Sequence, residues 1–269
     1  MTRARQGGRD ARWRRLALIP LAALLAMVHA PAEITVYLAG DSTMAHKLAE
    51  KRPETGWGEM LPLFLDSTVR VSNHAMNGRS TRTFIAEGRW AAIVDSLHPR
   101  DVVVIQFGHN DEAVDKPDRY TPPADFRANL DRMVSDVRGR GAIPILFTPV
   151  RRRKFDSAGQ LVDTHGEYPD IVRAIADRDH VPLVDMHRSS AALLSRLGPD
   201  SSLALFLQVE PGESPNYPAG LHDNTHFRPR GAFEMARLAA AGLRALDLPL
   251  SRHVLPAALT AASPSPASR

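Results

Sequence analysis

The sequence predicts an α/β fold in which about five parallel strands form a doubly wound sheet between two layers of helices. Three observations support this three-layer α/β/α prediction. Short apolar runs recur along the chain without internal polar–apolar alternation, which is typical of strands buried on both faces. Segments with helical spacing separate these runs, as in βαβ units. The length of 269 residues suits one domain of this kind with tails.

The elements follow from these patterns in chain order. Five apolar runs are predicted as strands, at residues 34–39, 69–73, 102–107, 143–147 and 181–184. Amphipathic segments are predicted as helices at about residues 57–65, 89–97, 126–138, 168–178, 191–197 and 231–246. Two long polar stretches, 151–166 and 209–223, contain Gly or Pro and are predicted as loops. Because ligands of a doubly wound sheet bind at the carboxyl ends of its strands, residues that follow each strand are the first functional candidates.

The first 32 residues are predicted to be a signal peptide. Arginines precede an apolar run at residues 16–28, and small residues follow it, which is the layout of a secretory signal. The run is shorter than the about 20 residues that span a membrane, so no stable membrane anchor is expected. Cleavage is predicted after Ala32, with export to the periplasm or the exterior. An uncleaved amphipathic or anchoring segment is the alternative, and the paired arginines leave the export route open.

Composition defines the remaining boundaries and excludes several classes of protein. Residues 33–250 are predicted as the single folded domain, and residues 251–269, rich in Ala, Pro and Ser, as a flexible tail. The absence of cysteine excludes disulfides, a thiol nucleophile and thiolate metal sites. The net charge is +4, but residues 1–32 hold six arginines and one aspartate, which leaves 28 basic and 29 acidic residues beyond them. No nucleic-acid partner is therefore expected.

Polar blocks follow the first three predicted strands, and a fourth precedes the last helix. They read GDST at 40–43, NHAMNGRSTRTF at 73–84, FGHND at 107–111 and DNTHF at 223–227. Alone, the first block is a common helix cap, although backbone amides near Ser42 would also favour a developing anion. The spacing of Asp223 and His226 predicts a helical turn on which the carboxylate reaches the imidazole, as in activation of a serine hydroxyl.

In this order the four blocks resemble those of the SGNH (GDSL-like) hydrolase superfamily and, within it, the rhamnogalacturonan acetylesterase-like family. The resemblance extends from about residue 34 to residue 246. It implies a serine carbohydrate esterase, without a cofactor, that removes O-acetyl groups from a polysaccharide or oligosaccharide such as pectic rhamnogalacturonan. It implies that Ser42 is the nucleophile and that Asp223 and His226 complete the triad. The implied oxyanion hole consists of the Ser42 amide, the Gly78 amide and the Asn110 side chain.

Other interpretations remain open at this point. An enzyme of the same fold could act on another acyl substrate, as a lipase, a thioesterase or an acetylxylan esterase, and a non-catalytic carbohydrate-binding protein could retain the fold. His74, His109 and His222 stand near the blocks, but their spacing is not that of metal ligands, and no metal is expected. The basic run at 151–154 is either a solvated loop face or an attractor of acidic polysaccharide.

Overall fold

The computed structural model describes residues 1–2 and 34–261. The predicted signal peptide and its cleavage site therefore lie, apart from two residues, outside the described residues. In the part described, no helix is long and apolar enough to cross a membrane.

The main sheet has five parallel strands, as predicted. They are β1 (Ile34–Gly40), β2 (Val69–Asn73), β3 (Val102–Gln106), β4 (Ile143–Phe147) and β5 (Leu183–Val184), in the order β2-β1-β3-β4-β5. β1 is thus an inner strand, with β2 added on one side of it and β3, β4 and β5 on the other, which is the doubly wound order. The last strand is shorter than predicted because the Val181 amide closes the preceding helix on Ala176 and Pro182 has no amide hydrogen.

Helices cover both faces of the sheet. They are α1 (Trp57–Met60), α2 (Thr81–Ala86), α3 (Arg89–Ser96), α4 (Pro123–Gly139), α5 (Tyr168–Arg178), α6 (Met186–Ser202), α7 (Pro229–Ala245) and α8 (Pro256–Thr260). The helix predicted at 57–65 is wrong in its second half, where a 3-10 helix takes over at Leu61–Phe64, because Pro62 cannot donate to the α-helical ladder. The helix predicted at 191–197 extends much further in both directions, with a break at Gly198.

The core consists of two hydrophobic clusters, one on each face of the sheet. Val36 and Val104 point into the cluster that contains the buried side chains of α7. Their neighbours Tyr37 and Val103 point into the other cluster, with the buried side chains of α4 and α5. Successive residues of one strand thus enter opposite layers, which explains why β3 and β4 are apolar almost throughout. The prediction of an apolar run is wrong for the edge strand β2, which reads VRVSN and is only partly buried.

A two-stranded antiparallel sheet flanks the loop predicted at 209–223, which is confirmed at residues 210–220 and wrong at its two ends. Strands β6 (Phe206–Val209) and β7 (Leu221–Phe227) form this hairpin. The prediction that Asp223 and His226 share a helical turn is therefore wrong, since both lie on β7. The strand is fixed at its end by Phe227, which is fully buried and whose carbonyl accepts from the Thr55 amide at 2.9 Å.

The predicted tail starts too early. Residues 249–260 contain a 3-10 helix (Pro249–His253) and α8, and Leu250 and Val254 are buried in the core. The Leu255 amide donates to the Phe64 carbonyl at 2.9 Å. Burial of two apolar side chains explains why this stretch belongs to the fold despite its composition. Residues 262–269 lie outside the part described.

Candidate active site

The candidate site is a cleft of about 890 Å³ at the carboxyl edge of the main sheet. Ser42 follows β1, Gly78 follows β2 and Asn110 follows β3, and all three line this cleft. His226 enters the same cleft from β7. The structure thus brings together residues that are up to 184 positions apart in the sequence.

Ser42 lies in a tight turn that Asp41 organises. The carboxylate oxygen Oδ1 of Asp41 accepts from the Thr43 amide at 2.9 Å and from the Thr43 hydroxyl at 2.8 Å. The Asp41 carbonyl accepts from the amides of Met44 and Ala45. Asp41 therefore stabilises the turn, as an aspartate commonly does there, while the adjacent Ser42 side chain points to His226.

A continuous hydrogen-bonded chain joins Asp223, His226 and Ser42. Asp223 Oδ2 is 2.6 Å from His226 Nδ1, and His226 Nε2 is 2.8 Å from Ser42 Oγ. An ionised carboxylate can only accept, so Nδ1 carries the ring hydrogen and Nε2 is left to accept from the Ser42 hydroxyl. This is the tautomer that a general base needs in order to take a proton from serine.

The environment of Asp223 keeps its carboxylate ionised. Burial alone would raise the pKa of Asp223, but the hydrogen bond and charge of His226, with the amides of His226 and Thr225, lower it to about 2. The two amides donate to Asp223 Oδ1 at 3.0 and 2.6 Å. Because one oxygen is held by the backbone, the other is fixed in position toward the imidazole.

Three potential donors line the cleft beside Ser42. The amides of Ser42 and Gly78 make no hydrogen bond to any residue in the described part of the chain. Asn110 Nδ2 donates to the Arg79 carbonyl at 3.0 Å, and since an amide nitrogen carries two hydrogens, one remains for a ligand. Gly78 has φ +76°, which a residue with a side chain rarely adopts. This arrangement can stabilise negative charge that develops next to Ser42.

Lys47 is a site residue that the sequence did not reveal. Its side chain is fully buried, and its ammonium donates to the Ser42 carbonyl at 2.6 Å, to Asn77 Oδ1 at 2.7 Å and to Glu54 Oε1 at 2.7 Å. Burial lowers the pKa of Lys47, and the Glu54 carboxylate opposes this effect. All three ammonium hydrogens are used, and they tie the serine turn to the residue that precedes Gly78. A lysine in a polar turn is usually exposed, so nothing in the sequence pointed to Lys47 as a buried residue of the site.

The loop at 151–166 braces both sides of the cleft. Arg152 and His165 pair with Glu112, which follows the Asn110 block. The amide and guanidinium of Arg153 donate to Asn224, next to Asp223. The cations of this basic run are therefore largely occupied by internal partners, since Arg151 also pairs with Asp163.

The three histidines considered as metal ligands have separate surroundings. His109 Nδ1 lies 3.4 Å from Asp41 Oδ2, His74 contacts Ser72, and His222 contacts Gln208. Within residues 34–261, no group of three His, Asp or Glu side chains is arranged to hold a metal ion. The absence of a metal and of a cofactor stays a prediction.

Three buried ionisable groups next to the cleft have shifted pKa values. Burial lowers the pKa of His109 to about 4 against the attraction of Asp41. Burial would raise the pKa of Asp41, but His109 and the amide and hydroxyl of Thr43 lower it to about 2. The pKa of Asp111 shifts in the opposite direction to that of Asp41. Burial raises it to about 7, although Thr81 donates two hydrogen bonds to the carboxylate.

Comparison with known proteins gives consistent matches. Residues 38–232 match the GDSL-like Lipase/Acylhydrolase family. The chain is 41% identical to rhamnogalacturonan acetylesterase RhgT of Bacillus subtilis (strain 168) over 222 residues, 82% of this chain and 94% of that protein. The crystal structure of Bacillus subtilis YxiM superposes with a TM-score of 0.67 at 30% identity, covering 79% of this chain and 56% of that chain. Axe2, an acetylxylan esterase from Geobacillus stearothermophilus, shares the fold, with a TM-score of 0.58 at 22% identity over 78% of this chain and 94% of that chain.

Proposed function

Since this chain belongs to the GDSL-like lipase/acylhydrolase family and is an enzyme that hydrolyses carboxylic esters, we propose that it removes O-acetyl groups from a polysaccharide outside the cytoplasm. Pectic rhamnogalacturonan is the proposed substrate. The observation that carries the proposal is the hydrogen-bonded chain from Asp223 through His226 to Ser42 at the head of the cleft.

The first half of the proposed reaction transfers the acetyl group to the enzyme. Ser42 Oγ attacks the carbonyl carbon of the acetyl ester while its proton passes to His226 Nε2. The tetrahedral oxyanion accepts from the amides of Ser42 and Gly78 and from Asn110 Nδ2. Asp223 stabilises the imidazolium that forms. The bond to the sugar oxygen then breaks, and that oxygen leaves with the proton held by His226.

The second half releases acetate. Water attacks the carbonyl carbon of the acetyl-serine, and His226 accepts its proton as it accepted that of the serine. The new tetrahedral oxyanion occupies the same three donors. Its collapse breaks the bond to Ser42 Oγ, which recovers a proton from His226, and acetate leaves. The residues named supply the base, the acid and the oxyanion donors for both halves, and no step calls for a cofactor.

The lining of the cleft supports a sugar ester over a long acyl chain. Charged and amide side chains dominate it, among them Glu54, Arg79, Glu87 and Arg152. An acyl chain of a lipid or a thioester would need an apolar channel to offset its desolvation, whereas sugar hydroxyls hydrogen-bond to polar side chains. The similarity to a relative named rhamnogalacturonan acetylesterase, almost all of which this chain covers, supports the choice of polysaccharide.

Export is proposed from the amino-terminal sequence. The arginine-rich stretch and the apolar run at 16–28 have the layout of a cleaved signal, and a polysaccharide substrate is itself extracytoplasmic. Expression of the full chain in a bacterial host, followed by amino-terminal sequencing of the periplasmic or secreted protein, tests this. The expected first residue is Glu33, and full-length protein retained in the cytoplasm would contradict export.

A substrate panel with a nucleophile variant tests the activity. Acetylated rhamnogalacturonan, acetylxylan and p-nitrophenyl esters of increasing chain length are incubated with the protein and with Ser42→Ala, and acid release is measured. The wild type should release acetate fastest from rhamnogalacturonan and should lose activity as the acyl chain lengthens. Ser42→Ala should fold normally and release none. Preference for long acyl chains would favour a lipase, and activity in Ser42→Ala would remove Ser42 as the nucleophile.

A further inference from the structure

A second carboxylate, besides that of Asp223, lies close to the imidazole of His226. Glu54 lines the cleft, its side chain is 9% exposed, and its Oε1 is 4.0 Å from His226 Nε2. This distance exceeds that of a direct hydrogen bond, and polar atoms at such a separation can be bridged by a water molecule. Nε2 is the atom that exchanges protons in the proposed reaction, so a group beside it can act on the molecule that gives up the proton.

Backbone pairing fixes the position of Glu54 relative to His226. Thr55 and Phe227 directly follow these two residues, and they form an antiparallel bridge in which the Thr55 amide donates to the Phe227 carbonyl at 2.9 Å. The Glu54 amide donates to the Lys51 carbonyl, also at 2.9 Å. The carboxylate is therefore held at its distance from the imidazole without a direct bond between the two side chains.

The Lys47 ammonium fixes the far end of the Glu54 side chain. It donates to Glu54 Oε1 at 2.7 Å, and this is the same oxygen that lies 4.0 Å from His226 Nε2. A carboxylate oxygen has more than one acceptor position, so Oε1 can accept a further hydrogen from a molecule in the cleft. Glu54 thus offers a fixed acceptor beside the base.

The water that hydrolyses the acetyl-enzyme fits between these two acceptors. Once Ser42 Oγ carries the acetyl group, it no longer donates to His226 Nε2, and that nitrogen can accept from a water. Two hydrogen bonds of about 2.8 Å from one water reach acceptors that are about 4 to 4.5 Å apart. The separation of Nε2 and Glu54 Oε1 agrees with this span. With both hydrogens directed in this way, a lone pair of the water oxygen is left for the acetyl carbon.

The first half of the reaction does not use the second acceptor. When the acetyl group passes to Ser42, the leaving sugar oxygen receives one proton from His226 and has no second hydrogen to donate to Glu54. The contact therefore favours the step in which water is the nucleophile, because it is made only there.

We propose that Glu54 positions the hydrolytic water, by accepting one of its hydrogens while His226 Nε2 takes the other as a proton. The water oxygen bonds to the acetyl carbon, the bond from that carbon to Ser42 Oγ breaks, and Oγ recovers the proton from His226. Glu54 is unchanged at the end. The inference rests on the proposed covalent mechanism and adds the residue that favours water as the acceptor of the acetyl group.

Competition between water and methanol for the acetyl group tests this inference. Methanol has one hydroxyl hydrogen, which goes to His226, so its attack does not need Glu54. With p-nitrophenyl acetate and a fixed concentration of methanol, acetate and methyl acetate are quantified for the wild type, Glu54→Gln and Glu54→Met. The control is Glu50→Gln, in an exposed residue of the same segment outside the cleft lining. The decay of acetyl-Ser42 without methanol is followed by mass spectrometry of quenched samples.

Glu54→Met should slow the decay of acetyl-Ser42 by about 10- to 100-fold, the usual effect of one hydrogen bond to a charged group. The ratio of methyl acetate to acetate should rise by the same factor. Glu54→Gln retains a neutral and weaker acceptor for the water and for Lys47, so its ratio should lie between those of Glu54→Met and the wild type. Glu50→Gln should match the wild type.

The product ratio is independent of the folded fraction, because unfolded protein forms neither product. An unchanged ratio in both Glu54 variants, whether or not the two products form more slowly, would overturn the inference. It would mean that Glu54 only supports the structure of the site. Turnover of p-nitrophenyl acetate that persists in Ser42→Ala would instead refute the proposed covalent mechanism itself.

Discussion

At the scale of single residues, the site depends on which atom of each side chain is already occupied. His226 Nδ1 is held by Asp223, which leaves Nε2 for Ser42. One hydrogen of Asn110 Nδ2 is held by the Arg79 carbonyl, which leaves the other for a ligand. In both cases an internal hydrogen bond orients the group and reserves its free position for the substrate or the nucleophile.

His226→Ala should reduce turnover nearly as much as Ser42→Ala, because the two act as a unit and their losses do not add. Asp223→Ala should be milder, since Asp223 orients the imidazole and does not itself transfer the proton. Activity of the three variants and of the double variant Ser42→Ala with His226→Ala is compared with that of the wild type. A double variant much less active than either single variant would contradict the role of His226 as the base.

Asn110→Ala should lower kcat by about 10²- to 10³-fold with a smaller effect on KM, as for loss of one oxyanion donor in a serine hydrolase. The proposed charge exists only in the tetrahedral intermediate, so binding of the ground state needs the donor less. Turnover and thermal stability are measured on the same preparation. A lower melting temperature with normal kcat in the folded fraction would mean that Asn110 only holds the Arg79 carbonyl.

At the scale of elements, β1, β3 and β4 could be predicted because they are buried on both faces and are therefore almost entirely apolar. The serine, glycine and asparagine blocks could be placed because each directly follows a strand. The β6–β7 hairpin could not, since its turn is rich in Pro and Gly and β7 alternates polar and buried positions only weakly. The role of Lys47 could not be predicted, because its ammonium binds acceptors 5, 7 and 30 positions away that only the fold brings together.

Lys47→Met tests how the serine turn is coupled to the Asn77–Gly78 segment. It should lower kcat by roughly 10-fold or more with a smaller change in KM, because the Ser42 and Gly78 amides lose their fixed relation. Stability should fall by about 3–5 kcal/mol, because the buried Glu54 carboxylate loses its partner. The control is Lys51→Met, which removes an exposed lysine that lines the cleft.

The double variant Lys47→Met with Glu54→Gln separates the two effects. Glu54 Oε1 also lies 4.0 Å from His226 Nε2, and removing its charge prevents a new ion pair with the imidazole. Stability should recover in part while kcat stays low. Recovery of both would mean that Lys47 acts only by neutralising Glu54.

At the scale of the whole molecule, buried ionisable groups make opposite contributions to stability as a function of pH. The pKa of His109 is about 4 in the folded state and 6.5 in its ordinary state, so the unfolded chain binds a proton between these values and stability rises with pH there. For Asp111 the pKa is about 7 against 3.8. Between these two pH values the folded state holds a proton that the unfolded chain has lost, so stability falls as pH rises from about 3.8 to about 7.

Asp111→Asn should therefore stabilise the protein more at pH 7 than at pH 4.5, by roughly 1–3 kcal/mol between the two. Asparagine mimics the protonated acid and still accepts from Thr81, but it has no charge to bury. Urea unfolding curves at several pH values measure the difference. Parallel curves for the wild type and the variant across this range would show that Asp111 does not titrate there.

Because two of the proposed catalytic residues lie on the β6–β7 hairpin, activity can be lost while the main sheet remains folded. Its strands are anchored at one end by Phe206 and Phe227. The connection between them is held by side-chain hydrogen bonds from Asn216 and Tyr217 to the carbonyls of residues 49–52, although Glu210–Glu213 are exposed. Asp223 and His226 lie on this hairpin, and Ser42 follows β1, an inner strand of the other sheet. Opening of the hairpin would remove the proposed base and its carboxylate while the five-stranded sheet stays intact. Amides of β7 should then exchange with deuterium earlier than those of β1, and heating should inactivate the enzyme before it melts.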